Sequence, residues 1–97
     1  LNFGVYDGDY SWIQAVKPGT DTRNLVLQGY GGNVGIGTTS PTAKADILSD
    51  ILRLRTAKTP SSAGAAGNQG DICWDSSYLY ICVSTNTWLR SLFTTWV

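Results

Sequence analysis

The sequence contains no histidine, no glutamate and no methionine, and its seven acidic residues are all aspartate. Without histidine the chain cannot form a Ser-His-Asp or Cys-His catalytic arrangement, and it offers no imidazole to a metal ion. Its two cysteines are too few for a four-cysteine zinc site or a disulfide framework. Much of the common catalytic repertoire is thereby excluded, and we expect no enzymatic activity, no metal and no cofactor.

An excess of charge of either sign is also missing, because seven Lys and Arg residues balance the seven Asp. This balance removes the main electrostatic reason to expect nucleic acid or an anionic membrane as a partner. No apolar run approaches the roughly 20 residues of a membrane span, so we expect no membrane insertion. The chain starts at Leu1 and has no Met, which suggests a fragment of a longer protein.

What the chain does have is a C-terminal stretch, Gly70 to Trp96, with three apolar runs separated by short polar segments. Runs rich in β-branched and aromatic residues, bounded by Ser, Asn and Asp, are typical of strands joined by tight turns. Together with 11 glycines, this pattern predicts an all-β fold of short antiparallel strands that ends in a three-stranded meander. We divide the chain into an N-terminal β segment, 1–48, and a C-terminal β module, 49–97.

The predicted meander has two apolar faces, because side chains alternate across a strand. One face would carry Ile72, Trp74, Leu79, Ile81 and Val83, and the other would carry Cys73, Tyr80 and Cys82. Since neither face is polar, we expect both to be covered, partly by the chain itself and partly by another molecule. The two cysteines are interpreted as small buried apolar residues, although a disulfide between them is geometrically conceivable.

A second unusual pattern lies at Val34–Gly37, where apolar residues alternate with glycines. Glycine inside a strand often marks the close approach of another backbone, as would occur if three copies of the strand met at an axis. A homotrimer would also cover both faces of the meander and leave few free strand edges. The candidate residues for trimer packing are Val34, Gly35, Ile36, Gly37, Ile72, Trp74, Leu79, Ile81 and Trp88.

The remaining segments give weaker signals. Residues 7–9 (Asp-Gly-Asp) predict a turn, and residues 10–16 and 25–28 predict strands. Residues 42–55 fit either a helix that starts at the Ser-Pro pair before them or two short strands, and we favour strands. The small and polar stretch 59–68 predicts a linker or a loop that lies on a neighbour.

The run GNVGIGTTSPTAK, residues 32–44, resembles a segment that recurs in bacteriophage tail-fibre and related trimeric fibre proteins. In those proteins it commonly follows a WIQ-type strand and an NLxL-type strand, which are present here at residues 12–14 and 24–27. The family usually continues with Lys-Leu-Asp-Val, whereas Ala45 stands here in place of the Leu. Residues 53–60, the Ala/Ser/Gly stretch and the meander resemble a fibre C-terminal module.

The resemblance implies an intertwined homotrimer in a virion appendage, associated with other fibre or tail proteins and assembled in the host cytoplasm. The expected function is that of a structural component of a bacteriophage tail fibre, with a host-surface glycan as its candidate ligand. Two alternatives stay open: a fragment of a polysaccharide-degrading tailspike, and a purely structural head or baseplate fibre.

Contacts with a host glycan are expected at the turns of the meander, because trimer packing would occupy the strand faces. An aromatic ring can stack on a sugar, and hydroxyl and amide groups exchange hydrogen bonds with it. The candidate receptor-binding residues are Ser77, Tyr78, Tyr80 and Asn86. The pairs Asp7/Asp9 and Asp71/Asp75 are interpreted as turn residues rather than as the two carboxylates of a glycosidase.

Overall fold

The computed structural model describes residues 2–6, 8, 10–19 and 21–97, with the backbone alone at residues 2, 5 and 6. The described residues form strands, turns and irregular segments without any helix, which confirms the all-β fold class. The described part of the chain accordingly contains no helix long and apolar enough to span a membrane. The chain divides into two compact units, Leu1–Asp50 and Ile51–Val97, which are called unit 1 and unit 2 below.

The strands of unit 1 pair two by two. The first pair is an antiparallel hairpin in which Gly4 lies opposite Trp12, and a second short antiparallel pair follows it. The third pair is parallel, with Val34 beside Ala45. In chain order the strands are β1 Asn2–Tyr6, β2 Tyr10–Gln14, β3 Val16–Lys17, β4 Asp21–Thr22, β5 Val34–Ile36 and β6 Ala45–Ile47.

The parallel pairing of β5 and β6 corrects the prediction that all strands pair antiparallel. The chain returns to the start of β5 because Gly37 turns it with a φ of 80°. The returning segment is held by a hydrogen bond from the Asn33 side-chain amide to Pro41 O at 3.1 Å. Backbone bonds then extend the pairing at both ends, from Val34 N to Lys44 O at 2.9 Å and from Leu48 N to Ile36 O at 2.8 Å.

Other boundaries in unit 1 and at its end also differ from the prediction. The strand predicted at 10–16 is interrupted at Ala15, and residues 25–28 form no strand. Gln28 has a φ of 56°, which an extended strand does not allow. Within 42–55 the helix alternative is wrong, and the strand alternative holds only for Ala45–Ile47. The turn predicted at 7–9 depends on Asp7 and Asp9, which lie outside the described residues.

Unit 2 contains the predicted three-stranded antiparallel meander, in the order β7-β8-β9. Its register places Ile72 opposite Ile81 and Cys73 opposite Tyr80, which confirms the predicted division of side chains between two faces. We call these the Tyr80 face (Cys73, Tyr78, Tyr80, Cys82, Trp88 and Arg90) and the Ile81 face (Ile72, Trp74, Leu79, Ile81 and Leu89). Val83, predicted for the second face, lies at the irregularity between Cys82 and Ser84 and has no partner in this register. The strands are β7 Ile72–Trp74, β8 Tyr78–Ser84 and β9 Thr87–Leu92.

Residues 59–70, called the strap, cross the Tyr80 face of this meander. Just before the strap, Lys58 N donates a hydrogen bond to Trp74 O at 2.8 Å, on the β7 edge of the sheet. On the opposite edge, Trp88 N donates to Ala63 O at 2.8 Å. Residues 59–68, predicted to be a linker or a loop on a neighbour, therefore form a loop on the sheet of their own chain.

Because the strap covers only one face, burial is confined to that face. Tyr80 is 5% exposed and Cys82 is 0% exposed, and these two side chains are the buried core of the described residues. Both cysteines are free thiols, and burial raises the pKa of the Cys73 thiol. On the Ile81 face the side chains of Ile72 and Leu79 are exposed, although Trp74 donates its indole N–H to Leu54 O at 2.7 Å.

Candidate functional site

The four predicted receptor-binding residues do not form one site. Ser77 and Tyr78 lie at the turn between β7 and β8, whereas Asn86 lies at the turn between β8 and β9. The intervening strand β8 has seven residues, which separates the two turns by roughly 20 Å at the usual rise of an extended strand. A single sugar residue cannot contact both turns.

Tyr80 requires a correction, because a side chain that is 5% exposed cannot present its ring to a glycan. Its hydroxyl donates a hydrogen bond to Asp75 Oδ2 at 2.6 Å. Asn86 is also engaged within the chain: its side-chain Oδ1 accepts from Gly67 N at 3.0 Å, and its backbone N–H donates to Gly67 O at 3.0 Å. It has a φ of 54°, a left-handed conformation that asparagine tolerates.

Asp75 connects the strap to the meander. Its carboxylate accepts hydrogen bonds from the Thr59 hydroxyl at 2.6 Å and from the Tyr80 hydroxyl at 2.6 Å. It also accepts from the backbone N–H groups of Ser77 and Tyr78, each at 2.8 Å. The Thr59 and Tyr80 hydroxyls, followed by the Ser77 N–H, hold the pKa of Asp75 far below its usual range. The same carboxylate raises the pKa of the Tyr80 hydroxyl.

An arginine and two tyrosines lie side by side on the Tyr80 face. The guanidinium carbon of Arg90 lies 4.0 Å from the centroid of the Tyr78 ring, a cation–π contact. The Tyr78 and Tyr80 ring centroids are 5.7 Å apart with an interplanar angle of 50°. Within the described residues Arg90 forms no ion pair with a carboxylate, and its side chain contacts the Tyr78 ring.

A groove of about 450 Å³ opens between the strap and strand β9. Its volume lies in the range of roughly 300–1,000 Å³ that is typical of small-molecule sites. Strap residues 59–63 form one wall, Leu89 and Arg90 form the other, and Tyr80 and Trp88 also line it. Trp88 is fixed there because its indole N–H donates to Ala65 O at 3.1 Å.

The residues predicted to pack a trimer do not form one surface, because they lie on both faces of the meander and in unit 1. Ile72, Trp74, Leu79 and Ile81 share the Ile81 face, whereas Trp88 lies on the Tyr80 face. There the Trp88 ring packs under Gly67, where an added Cβ would lie 2.8 Å from the ring. In unit 1, an added Cβ at Gly35 would lie 2.5 Å from Thr38 O. The close approach predicted at Gly35 is therefore made by its own chain.

The described residues contain no group of three or more His, Cys, Asp or Glu side chains placed to hold a metal ion. Asp71 and Asp75 flank β7, so their Cα atoms are separated by about 13 Å along an extended strand. The carboxyl groups of a glycosidase pair stand roughly 5–9.5 Å apart, whereas each carboxylate here is hydrogen-bonded within a separate turn. Asp71 accepts a hydrogen bond from Asn68 N at 2.9 Å and Asp75 caps its turn, as the sequence predicted for both.

Sequence reasoning missed Arg90 and Thr59. Arg90 stands within the run TWLRSL, where alternation puts it on the same face as Trp88. Its approach to Tyr78 depends on the β8–β9 register, in which Tyr80 lies opposite Arg90. The one feature of the sequence that could have drawn attention to Arg90 is that it is the single charged residue of the run TWLRSL.

Two bacteriophage proteins are similar to this chain. "Depolymerase 1, capsule K30/K69-specific" of Klebsiella phage K5-2 is 35% identical over 89 residues, which cover 84% of this chain and 11% of that protein. "Depolymerase, capsule K30/K69-specific" of Klebsiella phage K64-1 is 39% identical over 56 residues, which cover 58% of this chain and 7% of that protein. The chain thus spans about a tenth or less of each relative. No family model matches the chain, and no solved structure matches it.

These relatives confirm a likeness to bacteriophage proteins and overturn the expectation of a protein without enzymatic activity. Both are named as depolymerases, a class that degrades polysaccharide. The missing histidine and glutamate concern only the 97 residues of this chain, and the alignments leave most of each relative outside it. The alternative of a polysaccharide-degrading tailspike fits the relatives comparably to a structural fibre.

Proposed function

We propose that this chain is part of a bacteriophage tail protein that degrades capsular polysaccharide, in which it forms a homotrimer and contacts the glycan. The observation that carries the proposal is the 35% identity to a capsule depolymerase over 84% of the chain. The tail location follows from the work of such an enzyme, which must meet the capsule outside the cell while attached to the virion. Assembly with other tail proteins then takes place in the host cytoplasm.

The homotrimer is supported by the amount of surface that the chain leaves open. Its accessible surface is 8372 Å² for a mass of 10.5 kDa. Even two separate compact units of half this mass would together expose only about 6,500 Å². The Ile81 face supplies part of the excess, since Ile72, Leu79, Ile81 and Leu89 are all exposed on it. We propose that the other two copies of the chain cover this face.

A substitution on the Ile81 face tests the trimer. In a monomer Ile81→Asp would lower stability by about 1 kcal/mol, because Asp is disfavoured in a strand, and would leave the oligomeric state unchanged. In a trimer it would also bury a charge and prevent assembly. We expect sedimentation equilibrium to give a trimer for the parent protein and a smaller species for Ile81→Asp. Thr94→Asp, at an exposed residue after the meander, is the control. A stable folded monomer of the parent protein would contradict the proposal.

The enzymatic part is tested with the intact protein on purified capsular polysaccharide. The relatives are named as specific for capsules K30 and K69, so these two polymers are the first substrates, followed by a panel of other capsules. We expect the molecular mass of at least one polymer to fall and new chain ends to form. If no capsule in the panel is shortened at micromolar protein, the depolymerase function is wrong.

A further inference from the structure

We propose that the groove between the strap and β9 binds an acidic sugar residue of the polysaccharide, and that Arg90 recognises its carboxylate. This inference rests on the proposed function, which supplies the glycan, and it adds the chemical class of sugar and the place where that sugar binds. Three features of the groove support it.

The first feature is a positive charge at the rim that forms no ion pair with any described residue. None of the residues that line the groove is acidic, and Arg90 is its one charged lining residue. Asp75 lies beyond Thr59 and Tyr80, and both of their hydroxyls bond its Oδ2 oxygen. The Tyr78 ring holds the guanidinium in place at 4.0 Å, so little side-chain freedom is lost when a carboxylate binds. A bidentate pair with a carboxylate is the strongest hydrogen-bonding arrangement open to an arginine.

The second feature is a free backbone donor beside that charge. Trp88 N donates outward from the sheet edge to Ala63 O, and backbone groups two residues apart on a strand point the same way. The Arg90 N–H therefore also points outward, and it has no partner in the described part of the chain. An edge N–H and a guanidinium together offer donors to a carboxylate and to a neighbouring hydroxyl.

The third feature is an apolar surface framed by hydroxyls. Trp88, Pro60 and Ala63 supply apolar lining, and Ser61 and Ser62 are exposed along the same wall. A pyranose ring has apolar faces and a polar rim, which such a surface matches. A fully apolar ligand would offer the Arg90 donors no acceptor, and the hydroxyls of an uncharged sugar would be weaker acceptors for a guanidinium than a carboxylate. The combination favours a sugar that carries a carboxylate.

The binding test uses the intact protein and ligand-observed saturation-transfer NMR. The probes are sodium glucuronate, glucose as its uncharged counterpart, and sodium acetate as a carboxylate without a ring. We expect glucuronate to bind more tightly than glucose and acetate. Arg90→Gln should weaken glucuronate binding about tenfold or more, because a charged hydrogen-bonding partner is lost, and Arg90→Lys should retain part of the affinity.

Two controls separate the groove from other effects. Arg55→Gln removes an exposed arginine of unit 2 that does not line the groove, and it should leave binding unchanged. Ser62→Tyr should fill the groove and weaken glucuronate binding without changing charge. The inference is overturned if Arg90→Gln and Arg55→Gln bind glucuronate equally, or if glucose and acetate each bind as well as glucuronate.

The same protein is assayed for capsule cleavage, so that the two proposals can fail separately. Cleavage without Arg90-dependent glucuronate binding would overturn the groove and leave the depolymerase function standing. Arg90-dependent binding without cleavage of any capsule would support the groove and overturn the depolymerase function.

Discussion

The strands of unit 1 have two to five residues and those of unit 2 have three to seven, and among the described side chains only unit 2 has buried ones. In the described part of unit 1 the strands form three separate two-stranded sheets, and no side chain described there is buried. Unit 2 has a single three-stranded sheet whose Tyr80 face encloses Tyr80 and Cys82. Isolated two-stranded pairs are marginal in water, whereas three strands with a covered face can be stable.

The difference comes from the strap rather than from the number of apolar residues. Unit 1 has apolar side chains such as Phe3, Ile13 and Ile36, but all three are exposed. In unit 2 three strap residues form hydrogen bonds with the meander. Gly67 bonds to the β8–β9 turn, Ala63 bonds to β9, and Thr59 bonds to Asp75. These bonds satisfy the polar groups of a loop laid over a sheet, which would otherwise oppose its burial. We therefore expect unit 2 to be the more stable of the two units.

The largest expected effect is the loss of the Trp88 side chain. Trp88→Ala removes both the ring under Gly67 and the hydrogen bond to Ala65 O. We expect the free energy of unfolding of unit 2 to fall by about 3 kcal/mol, near the lower end for a tryptophan deleted from a packed site. Chemical denaturation followed by tryptophan fluorescence measures it.

Trp96→Ala is the matched control, because Trp96 is 97% exposed. It should change the free energy of unfolding by less than about 0.5 kcal/mol, as surface substitutions usually do. If both variants lost the same free energy of unfolding, the packing of Trp88 against the strap would not be what stabilises unit 2.

The next effect is the crowding of Trp88 by a methyl group. Gly67→Ala places a Cβ 2.8 Å from the indole ring, and the ring cannot move without breaking its bond to Ala65 O. We expect a loss of about 1–3 kcal/mol, typical of overpacking. Gly64→Ala, in the same strap, meets no atom within 4 Å and should be neutral or slightly stabilising. Thermal melts of the pair measure the difference, and a destabilising Gly64→Ala would contradict this account.

A smaller effect should appear as a pH dependence that belongs to unit 2. The folded-state pKa of Asp75 is depressed by the Thr59 and Tyr80 hydroxyls and the Ser77 N–H, whereas an unfolded aspartate titrates near about 3.9. The stabilisation is therefore present above pH ~4 and is lost progressively as the pH falls below that value. Protection of strap amides in hydrogen exchange should follow this curve.

The control for the pH effect is a change of charge at the same residue. Asp75→Asn keeps an acceptor oxygen but cannot titrate, so the protection of the strap should become lower at neutral pH and nearly independent of pH in the acid range. Asp50→Asn, in unit 1, should leave the curve unchanged. If the strap of Asp75→Asn opens in acid as the parent does, another group controls it.

Much of unit 2 could be predicted from its sequence, and much of unit 1 could not. The β8 run alternates Leu79, Ile81 and Val83 with Tyr80 and Cys82, so the faces follow from chain geometry alone. The parallel pairing of β5 and β6 instead depends on the turn at Gly37 and on the Asn33–Pro41 bond, and neither feature produces a periodic pattern in the sequence.

The candidate site shows the same limit. Tyr78 was found as an aromatic residue beside a turn, and it does contact the cation that we assign to ligand recognition. Arg90 was missed because its place beside Tyr78 depends on the strand register. Tyr80 was misplaced at the surface because the cover provided by residues 59–70 cannot be inferred from a stretch of Ala, Ser and Gly.

The smallest effect is expected for Gly4→Ala in unit 1, where Gly4 lies against the Trp12 ring much as Gly67 lies against the Trp88 ring. An added Cβ at Gly4 would lie 2.3 Å from the Trp12 ring, closer than the 2.8 Å found between Gly67 and Trp88. Distance alone would make Gly4→Ala the more damaging substitution. Trp12, however, is 39% exposed, so its ring can rotate toward solvent.

We therefore expect Gly4→Ala to destabilise the protein by less than about 1 kcal/mol, below the loss for Gly67→Ala, because the crowded ring is free to move. Thermal melts of the two variants in one buffer give the comparison. If partner chains cover Trp12 in the assembly, its ring is confined, and the loss of stability for Gly4→Ala should then equal or exceed the loss for Gly67→Ala. A Gly4→Ala loss as large as that of Gly67→Ala would show that the hairpin of β1 and β2 is enclosed in the assembly, and that the contrast between the units belongs to the single chain.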